Sequence, residues 1–161
     1  MKKILIINTG GTFNKVYNSL TGNLDIEPNG NALKAIAKHW LTTFKIVNII
    51  GKDSLNIDDN DRETLVQTIK EHSEQTIIII HGTDTIDKTA KFLDDANLRK
   101  EIILTGAMVP YSINPIEATA NFASAYGYIN AINKNGVYIS MNGVIKDHIS
   151  VIKNKEKGYF E

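Results

Sequence analysis

The chain has no cysteine, which excludes disulfides and thiolate chemistry and is compatible with a cytosolic setting. It also has no charge bias. Eighteen basic side chains face eighteen acidic ones, and nothing in that balance points to nucleic acid or an anionic membrane surface. No apolar stretch is long enough to span a bilayer. After Met1-Lys2-Lys3 the apolar run is short, Asn8 interrupts it, and no small-residue cleavage site follows. A signal peptide is therefore not expected, and a cytoplasmic location is. Internal repeats, low-complexity tracts and linkers are missing as well. The four histidines, His39, His72, His81 and His148, are scattered without ligand spacing, so no metal is expected.

Several cofactor and nucleophile motifs are incomplete or missing. Gly10-Gly11 lacks the third glycine of a dinucleotide fingerprint, and no acidic residue follows at the right distance. The glycine-lysine-serine/threonine ending of a P-loop is not there. Nor is the glycine-x-serine-x-glycine elbow of a serine hydrolase. No cofactor is expected.

What is present is a chain of 161 residues, enough for one domain with a real core. Ile4-Leu5-Ile6-Ile7 and Thr76-Ile77-Ile78-Ile79-Ile80 are apolar without alternation, as in strands buried on both faces. Each is followed by a glycine-framed turn, Asn8-Thr9-Gly10-Gly11-Thr12 and His81-Gly82-Thr83-Asp84-Thr85. Glycines there allow a sharp turn and leave backbone amides bare. Between the first turn and residue 31 lies a long polar stretch with turn chemistry at 18–23 and 28–30. Its length suits a lid, a binding loop or a hairpin, and it carries Tyr17.

The spacing predicts a helix over 31–41, with Asn31 as N-cap and Ala32, Leu33, Ile36, Ala37, Trp40 and Leu41 as its apolar stripe. A β-rich run at 44–50 follows. Asp58, Asp59 and Asp61 suit the start of the next helix. A third helix begins near Ile86, and Ile102-Ile103-Leu104 is another buried strand. Asn114-Pro115-Ile116-Glu117 reads as a helix start, and that helix runs to about residue 132. Val137 to Met141 is the last sheet strand, and Asn142-Gly143 signals a hairpin over 144–148. This alternation predicts an α/β fold: a doubly wound, mainly parallel sheet with helices on both faces and a C-terminal hairpin, in a single domain. The turns after the first and third strands, the serine loop at residue 54 and the Thr105-Gly106-Ala107 turn then share one sheet edge, where ligands bind in such folds.

Two hydroxyls, a carboxylate and free amides at that edge suit nucleophilic chemistry. A threonine needs a base, such as a tyrosine or a lysine made neutral by burial, and an oxyanion donor. The amides of Gly10-Gly11 or Gly82 can supply the donor, and Asp84 can hold a substrate ammonium or orient a lysine.

At these residues the chain resembles the bacterial-type L-asparaginase family. Thr9-Gly10-Gly11-Thr12 is similar to its first signature and His81-Gly82-Thr83-Asp84-Thr85 to its second. Gly106-Ala107-Met108-Val109-Pro110 resembles its third conserved turn, Asp53-Ser54-Leu55-Asn56-Ile57 its substrate-binding serine loop, and Val151-Ile152-Lys153 the segment carrying its catalytic lysine. Val109, Leu55 and Ile149 depart from the residues usual there.

The resemblance implies hydrolysis of the side-chain amide of L-asparagine, or a related amide, to acid and ammonia. It makes Thr12 the nucleophile and Tyr17 its activator. Thr83, Asp84 and Lys153 become the second hydroxyl-base group, and Gly11, Ser54, Thr83, Asp84 and Ala107 bind the small amide substrate. The alternatives are a non-catalytic module binding asparagine or aspartate, or half of a two-chain amidase.

In the family a carboxyl-terminal domain supplies a further glutamate from a neighbouring protomer. Residues 1–161 correspond to the amino-terminal domain alone, without that second domain. A homo-oligomer is therefore expected, or a separately encoded second-domain partner. Phe122, Tyr126 and Tyr128, on more than one face of the helix from Pro115, suggest the homodimer surface. Glu117 and Glu161 are the candidates to replace the missing glutamate.

Overall fold

A computed structural model describes residues 2–161. Its central sheet has six strands in the order β4-β1-β5-β6-β7-β8. These are β1 (Ile4–Gly10), β4 (Lys45–Lys52), β5 (Thr76–Ile80), β6 (Glu101–Thr105), β7 (Gly136–Met141) and β8 (Val144–Asp147). The first five are parallel, and β8 returns antiparallel to β7 through the Asn142-Gly143 turn. The doubly wound sheet and its C-terminal hairpin are therefore present.

Alternate side chains of the isoleucine-rich strands feed two cores. Leu5, Ile7, Ile77, Ile79, Ile102 and Leu104 meet α2 (Asp59–Glu71) and α3 (Ile86–Asp95). Ile6, Ile78, Ile80 and Ile103 meet α1 (Asn31–His39) and α4 (Pro115–Ala131) on the other face. Burial on both faces is why these strands read as unbroken apolar runs.

Because every crossover places a helix after a parallel strand, the loops after β1, β4, β5 and β6 emerge at one edge. Two of them carry Thr12 and Ser54; the other two carry Thr83 and Ala107. Strand β1 pairs with the edge strand β4 on one side and β5 on the other. The chain order reverses around it, which opens a crevice at the strand ends.

Between β1 and α1 the chain forms a small hairpin, β2 (Lys15–Tyr17) with β3 (Leu24–Ile26). At the far end β9 (Lys153–Asn154) pairs with β10 (Tyr159–Phe160).

Local details differ from the sequence reading. Gly30, not Asn31, caps α1, with φ of 69°. The helix stops at His39 because Leu41 takes φ of 52° and Thr42 N donates to Ala37 O, a Schellman closure. Leu41 is thereby turned to solvent instead of the core. Asp58 and Asp61 form a reciprocal capping box on α2.

The aromatic residues of α4 are also accounted for within the protomer. Phe122 is fully buried, and Phe122 and Tyr126 pack with Trp40 and Phe44. Tyr128 packs edge-on against Tyr138. Phe122 therefore has no surface to offer a homodimer, while Tyr126 and Tyr128 remain half-buried beside Trp40, Phe44 and β7.

Phe122→Ala is expected to lower unfolding stability by about 3–5 kcal/mol. Ile116→Ala, exposed on the same helix, should change it by less than about 0.5 kcal/mol. Urea denaturation of both variants checks this.

Candidate active site

The first turn is set by two glycines and one asparagine. Gly10 and Gly11 have φ of 111° and 74°, values that favour glycine. Buried Asn14 donates from Nδ2 to Gly10 O at 2.7 Å and to Asn8 Oδ1 at 2.8 Å. Asn8 in turn donates to Asn48 Oδ1 at 3.0 Å. Thr12 follows at the head of a short 3-10 helix, half-buried, and among the described residues its hydroxyl makes no hydrogen bond.

The serine loop is drawn against this turn by an irregularity in β4. Asn8 pairs with Asn48, but Gly10 pairs with Lys52, so β4 carries two extra residues. Ile50 and Gly51 absorb them at positive φ. Gly11 N then donates to Lys52 O at 3.0 Å. Lys15 Nζ bonds Asp53 Oδ2 at 2.6 Å, tying the β2–β3 hairpin to the serine loop. That ammonium beside Asp53 holds its carboxyl below the usual carboxylate range.

Ser54 is buried. Its Oγ accepts from Asp84 N at 3.2 Å, and its carbonyl accepts from Thr85 Oγ1 at 2.8 Å. The serine loop and the Thr83 turn are thus hydrogen-bonded to one another.

Thr83, Asp84 and Lys153 come together across 69 or more residues of sequence. Lys153 Nζ donates to Thr83 Oγ1 at 2.9 Å and to Asp84 Oδ1 at 2.6 Å. The Lys153 side chain is 14% exposed and that of Asp84 43% exposed. Lys153 therefore leaves the lysine-rich tail and points inward, while Asp84 keeps a face toward the crevice. The Thr83 hydroxyl donates to Met108 Sδ at 3.2 Å. The N-terminus of α3, capped at Thr85, adds a positive field at the same turn.

The third turn, 106–110, is held from α4. Asn121 Nδ2 donates to Gly106 O at 3.0 Å. Glu117 accepts from Met108 N and Val109 N, each at 3.0 Å. It stands in the first turn of the helix, as the sequence predicts, but it does not replace a missing glutamate, because both its oxygens are engaged by this turn. Glu161 lies in the tail, with Oε1 accepting from Asn154 Nδ2. Ala107 is buried and contributes its side chain to the core beside α4.

Tyr17 is not brought to Thr12. It stands 66% exposed on β2, and among the described residues no hydrogen bond joins the two. Leu55 and Ile149 are exposed as well.

Sequence reasoning missed the layer beneath the turns. His81 is buried with Nδ1 2.8 Å from Gly82 O and Nε2 2.8 Å from Thr89 Oγ1. Arg62 Nε donates to the same Thr89 hydroxyl at 3.1 Å. A carbonyl can only accept, so Nδ1 carries the proton. The Thr89 hydroxyl, which accepts from Arg62, donates its proton to Nε2. This chain of bonds orients the Gly82 carbonyl and needs a neutral imidazole. The signal was present in the sequence: Arg62 and Thr89 interrupt the apolar stripes of α2 and α3.

Burial pushes His81 down from the ordinary 6.5 to about 4, against the favourable bond to Gly82. The unfolded chain therefore binds a proton between those values that the folded chain refuses. Stability is fully present above pH 6.5 and is lost as pH falls toward 4, by up to about 3 kcal/mol. Urea midpoints taken from pH 7 to pH 4 should fall steadily across that window; a flat profile would mean that His81 is not held neutral.

Comparison with known proteins bears on the family and the fold. Residues 3–159 match the family model described as Asparaginase, N-terminal. The chain is 28% identical over 166 residues to L-asparaginase 2 of Escherichia coli, covering 95% of this chain and 47% of that one. It is 28% identical over 167 residues to the glutaminase-asparaginase of Acinetobacter glutaminasificans, covering 96% of this chain and 49% of that one. The thermostable L-asparaginase from Thermococcus kodakarensis shares the fold, with a TM-score of 0.83 at 23% identity over 100% of this chain and 51% of that one. The chain spans about half the length of these relatives.

Proposed function

Because the chain belongs to the asparaginase family and matches its N-terminal domain, we propose that it hydrolyses the side-chain amide of L-asparagine, or a related amide, through a threonine nucleophile. The observation that carries this reading is the hydrogen-bonded group of Lys153, Thr83 and Asp84 at the crevice. A hydroxyl 2.9 Å from an amine and a carboxylate 2.6 Å from that amine are the parts a proton-transfer relay needs.

In this reading the Thr12 oxygen attacks the amide carbon, and its proton passes to a base. Gly11 N is engaged by Lys52 O, so the amide of the Gly82 turn stabilises the oxyanion. Ammonia leaves with a proton, and water then releases the acyl group and restores the Thr12 hydroxyl. Thr83 and Lys153 manage a proton in one of these steps. For that work the bond runs in reverse, with a neutral amine accepting from the hydroxyl. Asp84 receives the substrate ammonium on the face it turns to the crevice. Ser54 receives the substrate carboxylate, and the backbone at Ala107 meets the amide. Tyr17 reaches Thr12 only if the β2–β3 hairpin closes over ligand, as a lid does.

The free Thr12 hydroxyl and the exposed Tyr17 favour one refinement. The first hydroxyl lacks a base among the described residues, so a second domain or a second chain completes it and dries the crevice. A homo-oligomer and a separately encoded partner both fit this reading. Among the described residues no helix is long and apolar enough to cross a membrane. A cytoplasmic setting suits a chain without cysteine, although relatives are named for the cytoplasm and for the periplasm alike.

Ammonia release from asparagine by the purified chain tests the proposal. A slow turnover is expected, abolished by Thr12→Ala and reduced about 10²–10⁴-fold by Lys153→Met. Tight aspartate binding with no ammonia release from the parent chain would favour the binding-module reading instead.

A further inference from the structure

Lys153 sits on a two-residue strand near the end of the chain, and something must hold its amine against Thr83. The β9–β10 hairpin closes on itself through Ile152 and Glu161, whose backbone groups pair at 2.8 and 2.9 Å. Val151 and Phe160 anchor it by burial. Apolar burial is not directional and does not fix register along the surface. Apart from the bonds of the Lys153 amine itself, direction among the described residues comes from one hydrogen bond: Phe160 N, in register with Lys153, donates to Asn142 Oδ1 at 3.1 Å.

Asn142 is itself fixed. It occupies the β7–β8 turn at φ of 50°, and its backbone N donates to Asn121 Oδ1 at 3.0 Å. The other end of the Asn121 carboxamide donates to Gly106 O. The two partners fix its orientation, since only the oxygen can accept and only the nitrogen can donate. Asn121 is 3% exposed, so water does not compete for these bonds. Gly106 in turn lies against the Thr83 loop: a Cβ at Gly106 would fall 2.2 Å from His81 O and 3.6 Å from Thr83 Cγ2.

We propose that Asn121 and Asn142 form a positioning relay that sets the hairpin carrying Lys153 against the turn that packs on Thr83. Neither side chain touches the crevice groups. The relay rests on the reading of Lys153 and Thr83 as a reacting pair only for its consequence in catalysis, not for its geometry.

Asn142→Gly tests it with little disturbance, because glycine keeps the positive φ and removes only the acceptor for Phe160 N. Asn142→Asp keeps the acceptor. The readout is covalent labelling of the Lys153 amine by reductive methylation in the folded chain, followed by mass spectrometry. Lys155 and Lys157 in the same peptide serve as exposed references, and Lys100, whose amine donates to three carbonyls at the opposite sheet edge, reports global loosening.

In Asn142→Gly, Lys153 should label about five- to tenfold faster, the size expected from losing one hydrogen bond of ordinary net strength. Lys100 should stay at its parent rate, and Asn142→Asp should restore protection. Unchanged Lys153 labelling in Asn142→Gly, or equal acceleration at Lys153 and Lys100, would overturn the relay. Where turnover is measurable, kcat should fall with KM nearly unchanged. A chain with no turnover that still shows the labelling pattern would remove the proposed function and leave the relay standing.

Discussion

Backbone touching backbone at glycine is the constraint on which the site depends. A Cβ at Gly10 would lie 2.5 Å from Lys52 O, and one at Gly11 would lie 2.6 Å from both Gly82 Cα and Gly82 N. One at Gly82 would lie 2.6 Å from Ser54 Cβ and Oγ, and one at Gly106 would lie 2.2 Å from His81 O. Each of the four loops at the sheet edge is thus pressed against another at a glycine. Sheet geometry alone sets neighbouring strands nearly 5 Å apart and leaves loops free to diverge beyond them. The glycines remove that freedom. They press the turns that carry Thr12, Thr83 and Asp84 against one another.

Close backbone contact brings a second requirement, because buried peptide groups must find partners. Small polar side chains in the layer below supply them. Asn14 takes Gly10 O, His81 takes Gly82 O, and Asn121 takes Gly106 O. Each of these three glycine-bearing turns has one carbonyl received by one buried donor. The polar residues under the crevice therefore follow from its tight packing.

The elements of this arrangement differ in how far the sequence exposes them. The strands are legible because a strand buried on both faces needs an unbroken apolar run, and Thr76 to Ile80 admits little else. The turns are legible because glycine is needed where φ is positive, as at Gly10 and Gly11, or where backbone approaches closely, as at Gly82 and Gly106. The membership of Lys153 in the site follows from resemblance alone, since a lysine-rich tail reads as solvated. The supporting donors are hidden for a physical reason. Asn121 and Asn142 are 21 residues apart, and a carboxamide carries no pattern that names its partner. Glu117 misleads because a glutamate in a first helical turn can serve its own helix, a neighbouring loop or a ligand equally well. The aromatics of α4 are ambiguous because apolar residues on two faces of a helix imply two contacts, and Trp40 with Phe44 supplies one of them from the same chain. The end of α1 is obscure because a left-handed cap usually carries glycine, and here Leu41 takes that place.

Two glycines separate the effect of contact from the effect of conformation. Gly106 and Gly127 both lie outside positive φ, but a Cβ at Gly106 would fall 2.2 Å from His81 O while one at Gly127 would meet nothing within 4 Å. Replacing each by alanine and measuring urea stability isolates the contact. Gly127→Ala, inside α4, should stabilise by about 0.5–1 kcal/mol. Gly106→Ala should cost at least about 3 kcal/mol, or prevent folding, because backbone at His81 must move. Equal effects at the two positions would contradict the claim that backbone contact at glycine builds the site.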